Sequence, residues 1–217
     1  MCGRFTLYAD PDLLIDYFNI ENEEDFILEA RYNIAPSQQI FTVVNGYNGY
    51  RGGYMRWGLV PQWAKDVSIG NKMINARSET LLEKQSFQPL LGKRHCLIIA
   101  NGFYEWKKTE NKKEPYYIQL KSKEPVAFAG LWDRWSSGDG GEVISCTILT
   151  TSPNTLMGDL HERMPVIIDR SQYDNWLNRD MEDYRDFFEP YPSKKMVANP
   201  VSTFVNNTRN EGEQCIN

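Results

Sequence analysis

Short apolar runs of strand character, separated by turn signals and never alternating regularly with helices, constrain this chain most. Residues 40–44 (Ile-Phe-Thr-Val-Val) and 50–59 flank the Gly/Asn-rich stretch Asn45–Gly49 and predict a hairpin. His95–Ala100 is an apolar run ending at Asn101-Gly102, a two-residue hairpin signal, so Phe103–Lys108 is expected as the returning strand. Further strands are expected at 116–120, 126–131, 143–150 and 165–168. Helical signals are fewer. Asp10-Pro11 ahead of Leu13, Leu14, Tyr17 and Phe18 predicts a capped helix, and Thr80-x-x-Glu83 offers a capping box for a short helix over 78–87. Helices are also expected over 171–178 and 180–188. With no βαβ alternation and no internal repeat, the pattern predicts one α+β domain built on a mainly antiparallel sheet or barrel. A flexible tail is expected from about 206.

A chain of 217 residues buries enough surface to fold without a disulfide or metal staple. No apolar run approaches the roughly 20 residues of a membrane span. Met1-Cys-Gly-Arg-Phe5 lacks a signal-peptide core, and the lipidation patterns do not fit at either end. A cytoplasmic protein with no membrane contact is expected. Cys2, Cys96, Cys146 and Cys215 show no C-x-x-C spacing, and His95 and His161 are the two histidines. Reduced thiols, no metal and no cofactor are expected, with Cys96 and Cys146 buried in their apolar runs.

Net charge is −5, yet the charge is segregated. Residues 1–29 carry one Arg against eight acids, residues 30–113 thirteen Lys and Arg against five, and residues 114–217 ten against sixteen. A basic block between acidic flanks suggests an anionic partner, or equally a surface whose charges pair in space. Within that block, Met55-Arg-Trp-Gly-Leu-Val-Pro-Gln-Trp63 sets tryptophan beside arginine, which suits stacking on single-stranded nucleic acid; Trp57 suits a core as well.

Six residues carry candidate chemistry. Initiator methionine is generally removed before a small second residue, which would leave Cys2 with a free α-amine and a thiol on adjacent carbons. Both are partly nucleophilic near neutral pH. Such a 1,2-aminothiol forms a Schiff base with an aldehyde and then closes it to a thiazolidine; the thiol alone could serve as an amidase nucleophile. Glu105 lies in Gly102-Phe-Tyr-Glu-Trp106, where alternation puts it on the face of Phe103 and opposite Tyr104 and Trp106. Partial desolvation there raises a carboxyl towards the range of proton transfer; a salt bridge to a nearby lysine is the plainer role. His161 opens His161-Glu-Arg-Met-Pro165 at a strand entrance, with Arg163 as a phosphate contact. Asn75 and Arg77, just before a predicted helix, offer an amide and a guanidinium for orientation and phosphate binding, or for capping and solvation.

Six motifs occur in order: Met1-Cys-Gly-Arg-Phe5, Arg31-Tyr-Asn-Ile-Ala-Pro36, Arg56-Trp-Gly-Leu-Val-Pro61, Asn75-Ala-Arg-Ser-Glu-Thr80, Gly102-Phe-Tyr-Glu-Trp106 and His161-Glu-Arg-Met-Pro-Val166. Together they closely resemble the SRAP family of SOS-response-associated, abasic-site-processing proteins, from Cys2 to about Val205. The resemblance implies a single α+β domain with a β-barrel-like core, peripheral helices and a basic cleft for single-stranded DNA. It also implies covalent capture of abasic sites through the N-terminal cysteine. Cys2 would be the nucleophile, Asn75 would position the N-terminus, and Glu105 and His161 would transfer protons. Arg4, Trp57, Arg77 and Arg163 would line the DNA cleft. One departure is Asn101, where the family usually has Asp. The rival readings are a thiol autopeptidase or N-terminal-nucleophile amidohydrolase using the same Cys2, and a non-catalytic single-stranded DNA binder. A monomer is expected.

Overall fold

The computed structural model describes residues 2–110, 112–178 and 184–217. Its first strands are β1 (Phe5–Leu7), β2 (Arg31–Ile34), β3 (Gln39–Asn45), β4 (Tyr50–Trp57) and β5 (Asn75–Arg77). The middle of the chain forms β6 (His95–Ala100), β7 (Gly102–Lys108), β8 (Lys113–Leu120), β9 (Val126–Ser136) and β10 (Glu142–Thr151). Short strands β11 (Met164–Pro165) and β12 (Ile167–Ile168) precede β13 (Met196–Pro200). Helices are α1 (Pro11–Phe18), α2 (Thr155–Gly158) and α3 (Tyr173–Leu177). The α+β class with a mainly antiparallel barrel is as expected.

Strands β10, β4, β3, β6 and β9 pair in that order, and β9 pairs back onto β10, closing a five-stranded barrel. The closing β10–β4 pairing is parallel and short. At Gly58 β4 leaves the barrel, and β5 continues the same parallel edge, with Asn75 opposite Ile148. Gly58 permits this exit: its φ is +122°, and a Cβ there would stand 2.4 Å from the Gly70 carbonyl oxygen. A second, antiparallel sheet runs β13-β8-β7-β1-β2. Phe5 and Phe103 from this sheet meet Trp57 and Phe128 of the barrel edge-to-face, at centroid distances of 5.2 to 6.0 Å. These aromatic contacts join the two layers.

The expected β3–β4 hairpin forms, and α1 begins as predicted, with Asp10 Oδ1 accepting from the Asp12 and Leu13 amides. Asn101-Gly102 is not a hairpin. A type I′ turn needs positive φ at both positions, and neither residue has it. Instead β6 stays in the barrel while β7 joins the other sheet. The Asn101 side chain accepts from the Tyr8 and Ala9 amides, so its polar group stitches the two layers rather than turning the chain. Nor does Thr80 cap a helix: a 3₁₀ segment starts at Ser78, and Thr80 Oγ1 donates to the Arg77 carbonyl. The helix expected over 180–188 falls partly outside the described residues; 185–188 form a 3₁₀ turn. The segment after 206, expected to be a flexible tail, packs against β2. Cys215 is buried, Asn33 Nδ2 donates to the Asn207 and Asn210 carbonyls, and Glu211 pairs with Arg31 at 3.0 Å.

Candidate active site

Strand β1 lies between β7 and β2, with Phe5 opposite Phe103. The pairing continues towards the N-terminus, where the Tyr104 amide donates to the Arg4 carbonyl at 2.9 Å. This brings the first residues alongside Glu105. Cys2 is fully buried. Its carbonyl accepts from Asn75 Nδ2 at 2.8 Å, so the first residue of β5 holds the start of the chain from the barrel side. Asn75 Oδ1 is buried and has no hydrogen-bond partner among the described residues. Burial, and then the Glu105 carboxylate, push the Cys2 thiol well above its ordinary range, which keeps it protonated.

Glu105 is 4% exposed. The predicted alternation holds although the hairpin does not: Phe103 faces the main core, whereas Tyr104 and Trp106 pack into a separate aromatic cluster with Tyr117. Burial raises the Glu105 carboxyl, and the nearby His161 partly opposes this. His161 sits between α2 and β11. Its amide donates to the Met157 carbonyl at 2.8 Å, and its Nδ1 accepts from the Arg163 amide at 3.0 Å. Cys2, Asn75, Glu105 and His161 are thus brought together from four segments far apart in sequence.

The expected DNA contacts divide. Arg77 is exposed at the end of β5. Arg163 turns inward, its side chain 11% exposed: it grips Glu79 bidentately at 2.6 and 2.8 Å and donates to the Thr150 carbonyl. That guanidinium holds the Glu79 carboxyl below its usual range. Arg4 is buried, donating to Asn33 Oδ1 and the Val205 carbonyl and lying 5.6 Å from the Trp106 ring centre. It anchors β1 and lines no cleft, because the folded C-terminal segment covers it. Trp57 is 0% exposed, and its Nε1 donates to the Ile74 carbonyl. Strand alternation turns it into the core, which removes it as a stacking platform. The exposed tryptophan of the same motif is Trp63, 51% exposed beyond the Pro61 turn. It shares the 58–77 excursion with exposed Lys65, Lys72 and Arg77. Its place after Pro61, where strand alternation has ended, was the available signal.

Fold and site together define a class: a closed barrel and a second sheet that bury a near-terminal thiol against a carboxylate, an amide and an imidazole. A sequence profile described as SOS response associated peptidase (SRAP) matches residues 1–208, and the chain belongs to that family. The abasic site processing protein YoqW of Bacillus subtilis is 46% identical, the match covering 100% of this chain and 99% of that protein. The abasic site processing protein HMCES of Xenopus tropicalis is 34% identical over 75% of this chain and 56% of its own. A crystal structure from Bordetella bronchiseptica superposes with a TM-score of 0.82 at 28% identity, covering 93% of this chain and all of that one. One from Bacteroides thetaiotaomicron, at 24% identity and a TM-score of 0.89, shares the fold. Among the described residues no helix is long and apolar enough to cross a membrane.

Proposed function

We propose that this protein captures abasic sites in single-stranded DNA as a covalent adduct on Cys2, after removal of Met1. The carrying observation is the convergence of Cys2, Asn75, Glu105 and His161; the names of the YoqW and HMCES relatives supply the lesion. A ring-closed abasic sugar must open before its C1′ aldehyde reacts. Burial raises the Glu105 carboxyl towards the range of proton transfer, so it can give a proton to the ring oxygen and take one back as the amine adds. The α-amine attacks first, because the buried thiol is protonated. Loss of water gives the imine. The thiol sulfur then adds to the same carbon, its proton going to the imine nitrogen, so aldehyde and aminothiol become a thiazolidine plus one water. The hydrogen bond from Asn75 to the Cys2 carbonyl fixes the residue that carries both nucleophiles.

The peptidase alternative would use the same Cys2 thiol with the α-amine as its base, and it gives the aldehyde no part. Trp63, Lys65, Lys72 and Arg77 form the proposed contact surface for unpaired bases and phosphates. The protein is proposed to act as a cytoplasmic monomer. A labelled abasic oligonucleotide provides the test: wild type gives a denaturation-resistant band, and Cys2→Ala does not. An equally durable adduct from Cys2→Ala would sink the reading, and peptide cleavage without any adduct would favour the amidohydrolase.

A further inference from the structure

His161 is held through its neighbour rather than through its own ring alone. A main-chain N–H is always a donor, so the Arg163 amide at 3.0 Å makes His161 Nδ1 an acceptor. The neutral ring therefore carries its hydrogen on Nε2. Arg163 in turn cannot shift freely. Its guanidinium is clasped by both oxygens of Glu79, 84 residues away in sequence, and by the Thr150 carbonyl on β10 at 2.6 Å. Glu79 itself stands on the 3₁₀ turn that directly follows β5, the strand whose Asn75 holds Cys2.

We infer that Glu79 is a positioning residue: through Arg163 it locks His161 as the Nε2–H tautomer beside Glu105. His161 is then a fixed hydrogen-bond donor to the reacting centre, while Glu105 is the group that gives and takes the proton. The inference rests on the proposed function for its catalytic consequence; the tautomer itself does not.

The chain has two histidines, which makes the test direct. His95 is the built-in reference with the opposite tautomer. Its Nε2 accepts from the Gly92 amide at 2.9 Å, so Nδ1 bears the hydrogen donated to the Trp176 carbonyl. Long-range proton–nitrogen correlation spectra of the full-length protein at neutral pH should show one ring of each kind. In Glu79→Ala the His161 pattern should become a mixture with an Nδ1–H signal, the His95 pattern should persist as evidence of an intact fold, and Glu79→Asp should restore the lock. Adduct formation at saturating abasic DNA should slow by up to about 100-fold in Glu79→Ala, with Glu79→Asp recovering most of it. If Glu79→Ala does not fold, Glu79→Gln, which keeps shape and loses charge, takes its place. A wild-type His161 protonated on Nδ1, or an unchanged His161 pattern in the variant, overturns the inference. Absence of any wild-type adduct alongside the expected spectra instead overturns the proposed function.

Discussion

His95 offers a stability prediction whose size follows from its surroundings. It is buried on β6, stacked on Trp176 at a centroid distance of 4.1 Å, with both ring nitrogens engaged in the neutral form. Burial pushes its pKa from 6.5 down to about 4. Between those values the unfolded chain binds a proton that the native state refuses. The contribution of His95 is therefore complete above about pH 6.5 and is lost as pH falls through about 4. At about 1.4 kcal/mol per pH unit, the loss is about 3 kcal/mol, a large part of the roughly 5–15 kcal/mol that holds a domain together. The informative perturbation is His95→Gln, whose amide can accept from Gly92 and donate to Trp176 but cannot titrate. At pH 7 it should be less stable than wild type by about 1–2 kcal/mol, for the weakened stacking and hydrogen bonds. At pH 4 the order should reverse. Urea unfolding followed by tryptophan fluorescence at pH 7, 6, 5 and 4 measures both proteins. Carboxylates common to the two cancel in the difference. Wild-type and variant stabilities that run parallel from pH 7 to pH 4 would refute the reasoning.

Three further outcomes are expected. Glu105→Gln should slow both formation and reversal of the adduct by roughly 10²–10⁴-fold at saturating DNA, since one group serves the same proton step each way; normal rates in both directions would return Glu105 to a structural role. Arg77→Ala should weaken single-stranded DNA binding and reduce the slope of log affinity against log salt by about one phosphate's worth, read by fluorescence anisotropy across a salt series. Trp57→Ala should cost about 3–5 kcal/mol in denaturant titrations, the signature of a core cavity, whereas Trp63→Ala should leave stability within about 0.5 kcal/mol and weaken DNA binding.

What the sequence could tell depended on whether the deciding partner was local. Strand alternation is local, so the opposite faces of Phe103 and Tyr104 and the placement of Glu105 were readable from period alone. The Asp10 cap was readable for the same reason. Asn101-Gly102 misled because its side chain is used by amides more than ninety residues away, a demand that no dipeptide displays. Arg4, Trp57 and Arg163 carry the chemistry of DNA contacts in their side-chain types, yet each has a distant partner: Asn33 and Val205, Ile74, and Glu79. The motifs marked the candidate site; the exposure of each residue within it was set by long-range packing.

The placement of β1 also carries a consequence for timing. Cys2 is among the first residues to leave the ribosome, but the groups that enclose it are made much later. Its β7 neighbour spans Gly102–Lys108, His161 follows, and the segment that covers Arg4 ends with Ser202 bonded to the Asn217 carbonyl. Synthesis proceeds at about 5–20 residues per second, so the N-terminus remains in solvent for roughly ten seconds or more before β1 can be enclosed. In the finished protein Cys2 is 0% exposed. Removal of Met1, which the proposed chemistry requires, has the whole of that interval in which to occur. In the proposed chemistry the nucleophile is synthesised early and enclosed late, so stray aldehydes and oxidants reach it throughout that interval.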